Sequence, residues 1–313
     1  MLRANRPKFR PPSPRALSLK ETCMTNVATD VSTATFELLE DVEFAQHDGT
    51  RLAGHLYRPC GAGPFPLVVG IHGGGWQLGE AARYRYWGEW LAARGYAFFA
   101  VTYRLAAPGR KTFPECFHDV RAAVQFVRGC AAELKIDGAR IALMGDSAGG
   151  HLAALVALAG DRPEFAGAYP DDPFATVLTR VKVVITVYGV FDLYQQWQHD
   201  LVARPRDSIC ERLLGVSAAD DKHAYFNASP LAWVSGRNNA TAFLLVWGTR
   251  DDTVDHRSQS EAFMLALKQA GHFVRPVILE GAPHFWVWEP VDEAGTCNHF
   301  LAPRLLRFLE QCL

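Results

Sequence analysis

The sequence predicts an α/β protein, a mainly parallel central sheet with helices on both faces and a small lid-like insertion. Three observations predict it. Short apolar runs such as Pro66–Ile71, Ala97–Tyr103 and Arg140–Met144 suit strands buried on both faces. Helical stretches lie among them: Arg83–Arg94, Cys116–Cys130, which alternates apolar and polar residues with helical period, and His151–Ala159, rich in strong helix formers. Strand and helix then alternate to the C-terminus, which implies parallel strands joined by crossover helices.

The 313 residues are enough for one large α/β domain or two ordinary ones. A hydrophobic share of 49% with 21% charged residues is that of a soluble globular protein. A net charge of −1 gives no electrostatic reason to expect nucleic acid or an anionic membrane as partner. No apolar run approaches the roughly 20 residues that span a bilayer. The seven cysteines are dispersed without C-x-x-C spacing, which predicts reduced thiols, a cytoplasmic location and no zinc site. No cofactor and no metal are expected, because no Cys/His/Asp/Glu group has ligand spacing.

In chain order, Met1–Lys20 carries Arg3, Arg6, Lys8, Arg10, Arg15 and Lys20, no acid, and the proline-rich Pro11-Pro12-Ser13-Pro14. Such a segment buries too little to fold, so residues 1–40 are read as a partly disordered extension, or as upstream sequence of a protein beginning at Met24. The folded unit is then 41–313. Val42–His47 and Arg51–Tyr57 alternate around Asp48-Gly49, a hairpin signal. After the strand at Pro66–Ile71, Arg83–Arg94 is helical and Gly95 ends it; Ala97–Tyr103 is a strand and Cys116–Cys130 a helix. Val181–Tyr188 and Ala242–Trp247 are strands, and Arg257–Ala270 is a helix with Gly271 past its end. Phe273–Leu279 is the last strand and Phe300–Cys312 the last helix. Between Gly189 and Ser235 the rhythm breaks: Tyr194, Trp197, Tyr225 and Trp233 lie in a stretch with no clear strand. This reads as an irregular lid over the carboxyl edge of the sheet.

The chemistry centres on Gly145-Asp146-Ser147-Ala148-Gly149-Gly150, set between a strand and a helix. A serine there occupies a tight strained turn that pushes its hydroxyl out of the sheet, and the glycines are needed where a Cβ would collide with neighbouring backbone. A nucleophile needs a base, a group to orient the base, and donors for the oxyanion. His284, in Gly281-Ala282-Pro283-His284-Phe285 after the last strand, is the candidate base. His72 is read as a brace for its glycine loop and His151 as packing. Gly248-Thr249-Arg250-Asp251-Asp252-Thr253-Val254 offers the acid: Asp251 stands at the fourth position of G-x-x-D-x-x-V, with Asp252 and Asp255 as competitors. His72-Gly73-Gly74-Gly75-Trp76 can turn backbone N–H groups toward a substrate oxygen, and the amide of Ala148 is unpaired at a helix start. Trp76, Phe285 and Trp286 flank these motifs as candidate pocket residues.

Together His72–Trp76, Tyr103-Arg104-Leu105-Ala106 with Phe113-Pro114 and Asp119-Val120, Gly145–Gly150, Gly248–Val254 and Gly281–His284 resemble the α/β-hydrolase esterases. The resemblance is to the acetyl-esterase and feruloyl-esterase-like group, near hormone-sensitive-lipase-type carboxylesterases and arylformamidases, and spans residue 41 to the C-terminus. It implies an α/β-hydrolase fold with Ser147 as nucleophile, His284 as base and Asp251 as orienter. The amides of Gly74, Gly75 and Ala148 would be oxyanion donors, and Asp119 a structural acid. It also implies a small-molecule ester substrate, cleaved through an acyl-enzyme. Amide or formamide cleavage with the same triad is the near alternative, and a non-catalytic binding protein on this fold the remote one. Two features depart from the pattern: residues 1–40 show no amphipathic cap helix, and Phe285-Trp286-Val287-Trp288 stands where relatives often carry a small residue. The second hints at a bulky or aromatic substrate.

Overall fold

The computed structural model describes residues 22–24 and 36–313. Nine strands occur among them: β1 (Thr22–Met24), β2 (Phe36–His47), β3 (Thr50–Pro59), β4 (Phe65–Ile71), β5 (Ala97–Val101), β6 (Ile136–Asp146), β7 (Val183–Val187), β8 (Ala242–Gly248) and β9 (Val274–Leu279). They form one sheet in the order β1-β2-β3-β5-β4-β6-β7-β8-β9. The pairs among β1, β2, β3 and β5 are antiparallel, and every pair from β5 across to β9 is parallel. The helices are α1 (Arg85–Ala92), α2 (Glu115–Gly129), α3 (Ala148–Ala159), α4 (Pro163–Ala166), α5 (Leu193–Ala203), α6 (Ile209–Leu214), α7 (Lys222–Ala228), α8 (Ala262–Gln269) and α9 (Cys297–Cys312).

Side chains of successive strand residues point to opposite faces, and the core divides accordingly. Leu67, Val69 and Ile71 of β4 and Phe243, Leu245 and Trp247 of β8 pack with Phe117 and Val120 of α2, Leu152 of α3 and Phe263 of α8. Val68, Leu244 and Val246, from the same strands, pack with Trp87 and Leu91 of α1 and Leu301, Leu305 and Phe308 of α9. Full burial of such a side chain contributes about 1.5–3 kcal/mol, and this two-sided burial is why the central strands read as unbroken apolar runs.

The β2–β3 hairpin turns at Asp48 (φ 49°) and Gly49 (φ 76°), both left-handed, as a two-residue turn requires to match strand twist. Phe36, 4% exposed, pairs with Pro59. The boundary placed at residue 40/41 therefore falls inside β2, and β1 pairs with the same strand. The rest of the segment 1–40 lies outside the described residues. β6 begins at Ile136, ahead of the apolar run, because Ile136 is buried and pairs with Phe65 across a register shift.

The segment 189–235 is helical where an irregular stretch was expected. Asp192 caps α5, Ser208 caps α6 and Asp221 caps α7 through side-chain bonds to first-turn amides. α6 and α7, of six and seven residues, are too short for periodicity to reveal, and α5, of eleven, buries Gln196 and Asp200 beside Leu193, so its inner face carries no apolar stripe. Their inner residues Cys210, Leu213 and Tyr225 are fully buried in the main core. Leu213 O also accepts from the amides of Thr112 and Phe113, tying the segment to the loop before α2. Among the described residues, no helix is long and apolar enough to cross a membrane.

Candidate active site

β6 ends at Asp146 and α3 begins at Ala148, so Ser147 carries the whole reversal, at φ 50° and ψ −118°. A non-glycine residue there costs on the order of 1–3 kcal/mol, and the surroundings enforce it. Ser147 N donates to Val187 O at 2.9 Å, and Ser147 O accepts from His151 N at 3.0 Å. A Cβ on Gly149 would lie 1.9 Å from Ile71 O, and one on Gly145 2.3 Å from Gly149 O. Only glycine permits strand and helix to approach so closely on either side of the serine.

Ser147, His284 and Asp251 come together from three loops at the carboxyl ends of β6, β9 and β8. His284 Nδ1 lies 2.6 Å from Asp251 Oδ2, and both side chains are 1% exposed. A carboxylate can only accept, so Nδ1 carries the hydrogen and Nε2 is left to accept from Ser147 Oγ–H at 3.0 Å. Asp251 Oδ1 is itself held by the amides of Thr253 (3.0 Å) and Val254 (2.9 Å). The competitors point elsewhere: Asp252 is exposed, and Asp255 accepts from Ser258 N and Oγ at the start of the following helical turn. Arg250 N donates to Ala282 O, and a Cβ on Gly248 would sit 2.2 Å from that same oxygen, so the acid and histidine loops are pressed together.

The glycine loop is fixed from several sides. Tyr103 OH donates to His72 O at 2.8 Å, and its ring stacks on the His72 imidazole at 4.3 Å. His72 Nδ1–H donates to Gly73 O at 2.9 Å, and burial pushes its pKa down to about 4, so the ring is a neutral brace. Gly73 N donates to Asp146 Oδ1 at 2.9 Å, which Tyr84 OH also reaches at 3.0 Å. Gly74 (φ 118°) and Gly75 (φ 60°) follow, and a Cβ on Gly74 would lie 2.1 Å from Leu78 O. The amides of Gly74, Gly75 and Ala148 donate to no acceptor among the described residues.

Asp146 is fully buried, and its Oδ2 meets no donor among the described residues. Burial lifts its pKa to about 6, although the bonds from Tyr84 and Gly73 and the charges of His284 and Arg83 pull the other way. His151, also fully buried, links two loops. Its Nε2–H donates to Ala228 O at 2.7 Å and its Nδ1 accepts from Trp76 Nε1–H at 3.2 Å, so α7 and the glycine loop are joined through one ring. Asn298 of α9 gives its Nδ2 hydrogens to Trp286 O, Val287 O and Glu289 O, which pins the loop after His284. Tyr188 lays its ring 4.1 Å from His284 and accepts from Val287 N. Asp146, Tyr188 and Asn298 were missed as site residues, and only Asp146, inside the glycine motif, carried a readable signal.

Two of the three pocket candidates need correction. Trp76 is 0% exposed, spent on core packing and the bond to His151, and Trp286 is 3% exposed against Tyr188. Phe285 remains, 54% exposed beside His284. Asp119 is fully buried and accepts from Arg104 N, Nε and Nη2, which locks the turn after β5. Among the described residues, no group of three His, Cys, Asp or Glu side chains is placed to hold a metal ion.

The chain is similar to several proteins of known name. Esterase LipC of Mycobacterium tuberculosis is 30% identical over 224 residues, 67% of this chain and 53% of that protein. The chain spans about half the length of the mycobacterial esterase relatives it matches. Kynurenine formamidase of Danio rerio is 25% identical over 288 residues, 90% of this chain and 85% of that one. The butyrate-bound esterase 2 of Thermogutta terrifontis superposes with a TM-score of 0.68 at 26% identity, covering 87% of this chain and 92% of that one. The same esterase has been solved phosphoramylated by tabun, at 25% identity. The architecture is thus the α/β-hydrolase fold. The BD-FAE family model matches residues 55–267, from within β3 to within α8. His284 lies beyond that match, so its place in the site rests on the geometry above. Because the match takes in well over half of the sequence, the chain belongs to the BD-FAE family.

Proposed function

We propose that this chain is a serine carboxylesterase acting on small to medium esters through an acyl-enzyme. The observation that carries the reading is the Ser147–His284–Asp251 series, with contacts of 3.0 and 2.6 Å inside a buried junction of three loops. Ser147 Oγ attacks the carbonyl carbon while its proton passes to His284 Nε2, and the carbonyl oxygen becomes the oxyanion. The amides of Gly74, Gly75 and Ala148 receive that charge. They are already oriented, so no reorganisation is spent at the moment of reaction. Collapse expels the alcohol, which takes the proton from His284. Water then repeats the sequence, its proton going to His284 and its hydroxyl to the acyl carbon, and Ser147 is regenerated. Asp251 holds His284 in the accepting tautomer and stabilises the imidazolium at each step.

Cleavage of an aryl formamide by the same residues is the second reading. It is favoured by the formamidase relative, which aligns over most of both chains. The test is a panel of p-nitrophenyl esters run beside N-formylkynurenine and simple anilides, with wild type and Ser147→Ala. The mutant is expected to lose about six orders of magnitude in kcat and to escape labelling by an organophosphate that modifies the wild type. Folded Ser147→Ala with near-normal turnover of an accepted ester would sink the proposal, and turnover of N-formylkynurenine far above all esters would favour the second reading.

A further inference from the structure

Beside the base lies a row of side chains near the surface: Phe285 is exposed, and Trp288 is half-buried, packed in part against the core face that α1 and α9 cover. Phe285 follows His284 at φ 67°, a conformation that is an outlier for an aromatic residue, and stays 54% exposed. Its ring stands edge-on to His284 at 4.4 Å and faces Trp288 at 6.0 Å, and the Arg83 guanidinium lies 4.2 Å over the Trp288 ring. Trp286 and Val287, between them in sequence, are buried in the core by contrast. Arg83 precedes Tyr84, whose hydroxyl bonds Asp146 next to the nucleophile, so both ends of the row border the site. Among the described residues no carboxylate comes within ion-pair distance of Arg83. The Phe285 ring is strained and exposed, and the Arg83 cation, attracted to the Trp288 face, has no carboxylate in direct contact and feels Asp146 only through space.

Chemistry says which part of a substrate this row would meet. His284 must hand its proton to the departing oxygen, so the leaving group lies on the histidine side of the scissile bond and the acyl group on the other. We propose that Phe285, Trp288 and Arg83 form a leaving-group subsite, and that it takes the phenolic half of an aryl ester bearing a carboxylate on a short arm. The ring of the phenol packs on Phe285 and Trp288, and the carboxylate meets the Arg83 fork. The assignment rests on the serine-esterase reading.

The probes are 3-(4-acetoxyphenyl)propanoate, its uncharged primary amide, and an alkyl acetate of similar size. Wild type is expected to favour the carboxylate over the amide about three- to fivefold in kcat/KM, the scale of one partly exposed ion pair, and added salt should erode that ratio. Arg83→Gln should bring it close to one, Arg83→Lys should restore part of it, and Arg307→Gln, far along α9, should leave it as in wild type. Phe285→Gly removes ring and backbone strain together, so folding is not at risk, and should cut the aryl-over-alkyl preference about five- to tenfold. A wild-type carboxylate-to-amide ratio near one, or a ratio that Arg83→Gln does not move, overturns the proposal. Failure of the underlying reading looks different: no acetate would be turned over and an organophosphate would not label Ser147.

Discussion

Asp146 and His151 flank Ser147, are both fully buried, and should bend the stability curve in opposite directions with pH. Burial raises the Asp146 pKa from 3.8 to about 6, so the folded protein holds that proton more tightly than the unfolded chain. Its contribution to stability is fully present below pH 3.8 and is lost as pH rises through about 6. A rise of about two pH units corresponds to about 3 kcal/mol. Burial lowers the His151 pKa from 6.5 to about 4, the bond to Ala228 opposing it only partly. That contribution is fully present above pH 6.5 and is lost as pH falls toward 4, again by about 3 kcal/mol. Other buried histidines, His72 and His118, titrate in the same window, so wild-type data alone mix the terms. The non-titrating variants Asp146→Asn and His151→Gln separate them. Urea unfolding, followed by fluorescence and circular dichroism at steps from pH 4 to 7.5, gives the two differences. Wild type minus Asp146→Asn should fall by about 3 kcal/mol across that range, and wild type minus His151→Gln should rise by a similar amount. Any fixed cost of either substitution cancels in the slope. Parallel curves for wild type and Asp146→Asn would mean that the carboxylate is solvated or paired, and the described burial of the elbow would be wrong.

Two further outcomes follow from the site. Asp251→Asn should lower kcat by about four orders of magnitude, because an amide toward Nδ1 forces the wrong tautomer on His284; Asp252→Asn, at an exposed position, should stay within about 0.5 kcal/mol in stability with activity little changed. Steady-state kinetics of the pair settle which carboxylate orients the base. Gly74→Ala places a Cβ 2.1 Å from Leu78 O at φ 118°; the loop must shift, and the loss of one donor should cost about 10²–10³ in kcat with a smaller effect on KM.

The parts legible in the sequence were those with strong local signals. The two-sided central strands declare themselves as apolar runs, and the hairpin turn by Asp48-Gly49. The strand–Gly145…Gly150–helix junction is readable because only glycine tolerates contacts as close as the 1.9 Å that a Gly149 Cβ would make. What stayed hidden depends on contacts between distant segments. Trp76 and Trp286 look like pocket aromatics in a linear reading, yet the rings face inward because His151 and Tyr188 await them there. The bonds from Asn298 to the histidine loop join residues 9 to 12 positions apart across a turn that no periodicity marks. α6 and α7 are too short for a helical stripe, and α5 turns the polar Gln196 and Asp200 inward, so all three read as irregular although Asp192, Ser208 and Asp221 stand at their starts as capping residues.

Backbone strain in this chain gathers around the proposed active site. Among the described residues, seven non-glycine positions have positive φ, and four of them, Trp76, Ser147, Tyr188 and Phe285, border the site. Each such conformation costs on the order of 1–3 kcal/mol and persists only where neighbours over-determine it. For three of the four the restraints are visible. Ser147 is held by Val187 O. Trp76 is held through its carbonyl by Ala106 N and through its indole by His151. Tyr188 is held by Val246 O and through its hydroxyl by Val287 N. Those three residues fix Ser147, the glycine loop and the wall behind His284, none of which can shift by an ångström without breaking a 2.6–3.0 Å contact among Ser147, His284 and Asp251. Phe285 has strain without a matching bond, and it alone of the four is exposed. A rigid inner frame with one strained ring left at the mouth is the arrangement expected where the frame serves the bond-breaking steps and the ring meets what varies between substrates.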